Sequence, residues 1–384
     1  VGTGATNAPK RYSGGSEKML TPRQIEAVAE EITEIYSEIE TSCIRSIAAR
    51  ISHGQKIRSI DAWKTSKLGE IGALNKELTT EIATVSKTAS KQVESLIRKA
   101  LRSAGIADQN IFKALSSSAA TDITKTEAFK RILRVTTANA RKGLNLTNTK
   151  ALQASIKAYR TAINRAYIKT SSGITSVEEA VRDACRELGG SGIVLDYKSA
   201  SGRLSRCSLD AAIRRDLVTT INQAGMLLTE ERCYELGWDL VETSWHLGAR
   251  PEHEVWQGQI FSLNGKTKGY RTLAEATGYG QVDGLGGINC RHSFRPYYEG
   301  MPRDESQVSK EENNRQYELQ QRQRYYERTL RNMKREAVAM EANGTQEGLL
   351  EAKRIRGRIR SKSSEYADFL DSHHLTRLRF KEAI

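Results

Sequence analysis

Histidine and cysteine gather in two glycine-rich segments of the C-terminal half. One reads Trp245-His246-Leu247-Gly248-Ala249-Arg250-Pro251-Glu252-His253-Glu254-Val255-Trp256-Gln257-Gly258, the other Tyr279-Gly280-Gln281-Val282-Asp283-Gly284-Leu285-Gly286-Gly287-Ile288-Asn289-Cys290-Arg291-His292. Together they hold three of the six histidines, one of the five cysteines and two of the four tryptophans. Loops this rich in Gly cannot fix their shape by burying apolar side chains. Imidazole nitrogens and a thiolate converging on a metal such as zinc would fix it for them. His246, His253, Cys290 and His292 are the candidate ligands. Six residues separate the first pair and one separates the second, unlike the spacing of zinc fingers. Spacing alone leaves a second reading open, in which the histidines hydrogen-bond to backbone carbonyls and Cys290 is a small buried hydrophobe.

The same residues invite a catalytic reading: a metal-dependent nuclease or hydrolase with Glu252 or Glu254 as general base and His253 as ligand. Against it, the chain has no His-Glu-x-x-His helix, no phosphate-binding glycine loop ending in Lys and no Gly-x-Ser-x-Gly elbow. A Cys290 nucleophile served by His292 is also poorly placed if the segment is extended, since the two side chains would stand about 7 Å apart on one face. Arg250 reads more simply as a donor that locks the loop onto backbone carbonyls or a carboxylate.

The elements that must position these loops can be read from apolar period and turn residues. Val1 to Lys18 is rich in Gly, Ser and Thr without periodicity and reads as a disordered leader, with Met19 a plausible start. Thr21 and Pro22 then open a helix as N-cap and first residue, and Ile25, Val28, Ile32, Ile35, Ile39, Ile44, Ile47 and Ile51 continue its apolar stripe. Further helices read over 68–101, 126–141 and 149–169, so 19–172 forms a helical arm. From Gly173 the character changes. The sequence predicts a helix over 177–188, a hairpin through Ile193–Tyr197 and Arg203–Leu204 around Ser201-Gly202, helices over 208–224 and 229–236, and a strand over 238–243 feeding the His246 loop. Residues 173–302 thus read as an α+β module between the arm and a charged helical region over 303–384. The expected fold class is mainly α with a central α+β module.

Bulk properties narrow the partners. The net charge of +14, from 60 basic against 46 acidic residues, favours polyanions. An odd number of cysteines at irregular spacing suits a reducing cytoplasm better than a disulfide framework. No apolar run approaches a membrane span and the N-terminus carries no hydrophobic signal core. Lys353, Arg354, Arg356, Arg358, Arg360 and Lys362 place six basic residues in ten positions. They could contact DNA phosphates, form a solvated helix face or meet an acidic protein. Tyr325 and Tyr326 could stack on bases, or be one buried and one exposed residue.

Ala249 through Gly258, followed by Tyr279-Gly280, Gly284-Leu285-Gly286, Asn289-Cys290-Arg291-His292-Ser293-Phe294 and Pro296, closely resembles the signature of the minor capsid protein 2 family of tailed bacteriophages. A weaker likeness extends upstream through Ile193 to Ser208 and Leu209 to Gly225. Within this pattern Arg250, Trp256, Gln257, Gly258, Tyr279, Gly280, Gly284, Asn289 and Arg291 form a structural loop motif. In the related Mu F-like head morphogenesis proteins the corresponding places resemble a Cys-x-x-Cys before a turn and an Asn-Cys-Arg-Cys after it. His253 and Asn289-Cys290-Arg291-His292 stand at what look like equivalent positions, and a Cys exchanged for His keeps a zinc ligand but removes a disulfide. The resemblance implies a non-catalytic, low-copy virion component near the portal vertex or capsid interior, acting in head assembly, with DNA packaging or delivery as a further role. Its implied partners are the portal or major capsid protein and packaged double-stranded DNA, and its implied cofactor is structural zinc. A metal-dependent virion enzyme acting on nucleic acid is the alternative.

Overall fold

A computed structural model describes residues 22–53, 59–115, 122–198, 204–303 and 309–384. The leader, the start at Met19, the Thr21 cap and the Ser201-Gly202 turn lie outside these residues. The protein is mainly α-helical, with a long N-terminal helical region and a helical C-terminal tail. Helix α1 is Pro22–Ser52, and most of its isoleucine stripe is buried as the period requires: Ile25, Ile32, Ile39, Ile44, Ile47 and Ile51 are each 1% exposed or less, while Ile35 is half-buried. Helices α2 (Ile60–Gly69), α3 (Ile71–Leu115) and α4 (Glu127–Ser171) follow, then α5 (Val177–Ser191) and the antiparallel hairpin β1 (Val194–Lys198) with β2 (Leu204–Ser208). After α6 (Leu209–Glu235) come β3 (Leu240–Thr243), α7 (Pro251–Glu254), β4 (Ile260–Ser262), α8 (Leu273–Thr277) and β5 (Phe294–Pro296). Helices α9 (Lys310–Asn343) and α10 (Gln346–Ser372) form the tail.

Two helix divisions expected from sequence are absent. Residues 127–141 and 149–169 belong to one 45-residue helix that continues through Gly143. One interior Gly costs about 1 kcal/mol, too little to end a helix whose flanking turns are packed. Likewise α6 continues through Gly225, because Met226 and Leu228 beyond it are each 1% exposed and hold the helix in the core.

The chain packs as two compact units. Unit 1 comprises the described residues of 1–29, 92–141 and 215–318; unit 2 those of 30–91, 142–214 and 319–384. These divisions cut across the sequence segments, since the β1–β2 hairpin falls in unit 2 and the loops beyond residue 215 in unit 1. Apolar period marks where helices start and stop; it does not mark where one long helix passes from one core to another.

Unit 1 is built on a three-stranded antiparallel sheet of order β4-β3-β5, pairing Val241 with Phe261 and with Pro296. Its core joins Phe112, Met226, Cys233, Trp256, Phe261, Leu285, Cys290 and Phe294. Beside that core Asp108 of α3 is buried and accepts a hydrogen bond from the Thr229 hydroxyl of α6. Burial pushes its carboxyl up to about 7. The folded state therefore holds a proton that the unfolded chain, with an ordinary Asp, releases, and stability falls as pH rises from about 4 through about 7. Asp108→Asn should be close to neutral at low pH and more stable than the parent at pH 8 by up to about 4 kcal/mol. Urea titration of both proteins at the two pH values checks the difference, and a parallel pH response would refute it.

Unit 2 carries a buried charge network. Glu40 of α1, 2% exposed, accepts from the Ile193 backbone N–H at 2.7 Å and from Arg335 of α9 at 2.9 Å. Asp210 of α6 stands 3.9 Å from Arg335, 3.3 Å from Arg331 and 3.6 Å from Arg214. Burial pushes Glu40 up to about 7 despite Arg335, whereas the three guanidiniums outweigh burial at Asp210 and hold it below the usual carboxylate range. Gly192, at φ 69°, ends α5 here, and a Cβ on it would lie 2.4 Å from Glu40 Oε1.

Candidate metal centre

Strand β3 delivers the chain to the first loop, and the loop closes on it: the Thr243 hydroxyl donates to Trp256 O at 2.7 Å and accepts from Gln259 N at 3.1 Å. Pro251 opens the one-turn helix α7, which turns His253 inward to 3% exposure. The second loop is shaped by close backbone approach, since a Cβ on Gly284 would lie 2.1 Å from Gly278 O. Asn289, at φ 57°, and a Cys290 N–H bond to Gly287 O at 3.0 Å curl residues 287–290 into a turn.

The Cys290 and His292 side chains come closer than the roughly 7 Å expected for an extended segment. Cys290 Sγ lies 3.8 Å from His292 Nδ1 and 3.8 Å from His253 Nδ1. His253, Cys290 and His292 each offer one ligand atom, all within 4.8 Å of one another, and all three side chains are buried. For tetrahedral zinc with sulfur at about 2.3 Å and nitrogen at about 2.0–2.1 Å, the sulfur–nitrogen edge is about 3.6 Å. Both sulfur–nitrogen distances are within a few tenths of an ångström of that edge, while the two nitrogens, within 4.8 Å of each other, would draw together toward an edge of about 3.3 Å.

The outer nitrogens fix the tautomers. His253 Nε2 is 2.9 Å from the Asp283 carbonyl, which only accepts, so Nε2 carries the proton and the Nδ1 lone pair faces the sulfur. His292 Nε2 donates in the same way to Gln257 Oε1 at 3.1 Å, an oxygen that also accepts the His246 backbone N–H at 3.3 Å. Metal-binding histidines are held in this manner, the second nitrogen tied to a carbonyl. Burial lowers the pKa of His253 and pushes that of His292 well below its usual value, so both stay neutral. Burial raises the Cys290 thiol, so without a metal it is an unreactive S–H.

His246 lies beside this trio and outside it. Its ring stacks on His292 with centroids 4.1 Å apart, Nδ1 is 3.5 Å from Leu247 O, and Nε2 is buried without a hydrogen-bond partner. Burial, with Arg291 adding to it, brings its pKa down to about 4. Trp256 walls the cluster, 4.7 Å from the His292 ring and 4.8 Å from the His253 ring.

Other motif residues brace the loops from a distance. Arg250 donates to Ile288 O at 2.8 Å, the loop-locking contact expected of it, and Arg291 pairs with Glu26. Arg303 donates to Gly258 O at 2.8 Å. Tyr279 packs edge-on against Phe294 and donates to Glu230 at 2.9 Å, while Gly280 is exposed. The basic run from Lys353 to Lys362 belongs to unit 2 and is no part of this site. Two clamps gave no signal in the sequence. Asn222 of α6 donates to His292 O at 2.8 Å and Cys290 O at 3.3 Å. Asn313 of α9 accepts from Gly248 N at 2.8 Å and Ala249 N at 3.0 Å, and donates to Ala249 O.

No described helix is long and apolar enough to cross a membrane, and the five cysteines are free thiols. No solved structure is detectably similar to the chain. A "structural protein" of Lactococcus phage LL-H is 24% identical over 306 residues, covering 75% of this chain and 80% of that protein. A "structural protein" of Lactococcus phage mv4 is 41% identical over 100 residues, covering 24% of this chain and 79% of that one. The profile of the family described as phage minor capsid protein 2 matches residues 20–371, and the chain belongs to that family.

Proposed function

We propose that this protein is a non-catalytic component of the phage head, present at low copy near the portal vertex or capsid interior and acting in head assembly through the portal or major capsid protein. Its loop module is fastened by zinc on His253, Cys290 and His292, and His246, stacked on His292 outside the trio, is the candidate for a fourth ligand. The observation that carries this reading is the burial of the cluster. Its three ligands are 3% exposed or less, their outer nitrogens are anchored to carbonyls, and no carboxylate joins them. A hydrolytic site would need a fourth metal position reached by solvent and a base beside it. Glu252 is exposed and Glu254 only half-buried, and neither belongs to the cluster.

Glu252→Gln and Glu254→Gln should therefore leave folding, incorporation into heads and infectivity unchanged, each shifting stability by under about 0.5 kcal/mol. Purified protein should contain zinc and should not cleave DNA or RNA. A Glu254→Gln protein that enters heads normally and yields inactive particles would establish the enzyme instead.

A further inference from the structure

We propose that the exposed basic face of α10, with the adjoining part of α9, binds the phosphate backbone of double-stranded DNA. This extends the head-component reading by naming a polyanionic partner, and it uses a surface remote in sequence from the metal loops. Helix α10 is anchored in unit 2 by Ala352, Ile355, Tyr366, Phe369 and Leu370, which are buried on one side. Lys353, Arg354, Arg356, Arg358 and Arg360 are all exposed. Glu351 engages Arg354 at 3.4 Å and Glu341 engages Arg356 at 2.5 Å. No carboxylate of a described residue lies within 4.0 Å of Lys353, Arg358 or Arg360. Glu336 of α9 also acts on Arg358, which turns away from Arg360 on the helix. Intramolecular pairing thus leaves Lys353 and Arg360 in hand, about 10 Å apart along the helix. A duplex presents about six phosphate charges over that length.

The centre of this face is bare. Gly357 sits one turn from Lys353 and one from Ser361. A Cβ there would meet nothing beyond the helix's own backbone nearer than Arg360 Nη2 at 3.9 Å. Packing within the chain does not require this glycine, which costs an exposed helix about 1 kcal/mol relative to alanine. A backbone phosphate approaching between flanking guanidiniums does benefit from it, and the Ser361 and Ser364 hydroxyls on the same stripe are donors of the kind that contact phosphates. At the far end Tyr325 is 52% exposed beside Lys362, whereas Tyr326 is buried against Tyr366. An acidic protein helix is the competing partner. It would add the exposed Leu349 and Leu350 to its footprint and would not use the hydroxyl stripe.

The test is fluorescence anisotropy of the full chain with two unrelated duplexes of about 30 base pairs over a salt titration. The parent should bind both equally, and the variant K353Q/R360Q should lower the slope of log affinity against log salt by about 2 and weaken binding on the order of 20-fold at about 0.1 M salt. Zinc content and melting temperature of the variant should match the parent, which separates this result from any failure of the metal reading. An unchanged slope, no duplex binding at low salt, or poly-glutamate displacing the duplex as well as unlabelled DNA at equal charge would overturn the proposal.

Discussion

His253→Ala is expected to strip zinc from unit 1 and destabilise it by on the order of 5 kcal/mol, a fall in melting temperature of about 10–20 °C. The variant loses one of three ligands within 4.8 Å of each other and the anchor to Asp283 O. Structural zinc contributes about 10–16 kcal/mol in finger peptides, which have little other core. Here Phe261, Leu285 and Phe294 remain packed around the gap, so the loss is only part of that. If the histidines were only hydrogen-bonded core residues, the loss would be about 1–3 kcal/mol and chelators would leave the parent unaffected. Tryptophan fluorescence reports the right region, because Trp238, Trp245 and Trp256 lie in unit 1 and only Trp63 in unit 2. A variant melting within about 2 °C of the parent would contradict the metal reading.

The second large effect is expected in unit 2. Arg335→Ala removes the cation shared by Glu40 and Asp210, both nearly inaccessible to water, and breaking such a pair costs about 3–5 kcal/mol. Asp210 keeps Arg331 and Arg214, so the exposed weakness is Glu40. Its carboxyl already titrates near 7 and takes up a proton when its partner is lost. The destabilisation should therefore shrink as pH falls below about 6, because a neutral carboxyl needs no counter-ion. Arg335→Met offers a control of similar length with the same charge loss, and equilibrium unfolding at pH 5.5 and pH 8 measures the difference. A loss independent of pH would place the cost in packing.

What the sequence showed follows from how local each signal is. The isoleucine stripe of α1 is a period within one helix and needs no knowledge of its neighbours. His253, Cys290 and His292 stood out because ligand residue types are few in this chain and fell close together. The structure brings those three together and leaves the fourth candidate, His246, beside them. Asn222, Asn313 and Asp108 were invisible for another reason: each is a single polar residue on a long helix, made meaningful by a partner 64 or more positions away. The family signature pointed to the loops and, more weakly, to the first part of α6, but not to the single residues there and on α9 that clamp them.

X-ray absorption at the zinc edge, on full-length protein purified without added metal, tests the central claim most directly. The cluster predicts one zinc per chain with a single sulfur at about 2.3 Å and nitrogens at about 2.0–2.1 Å, the sulfur signal vanishing in Cys290→Ser. Metal-free protein whose unfolding is unaffected by zinc or by a chelator would contradict it, and would leave His253, Cys290 and His292 as a hydrogen-bonded core.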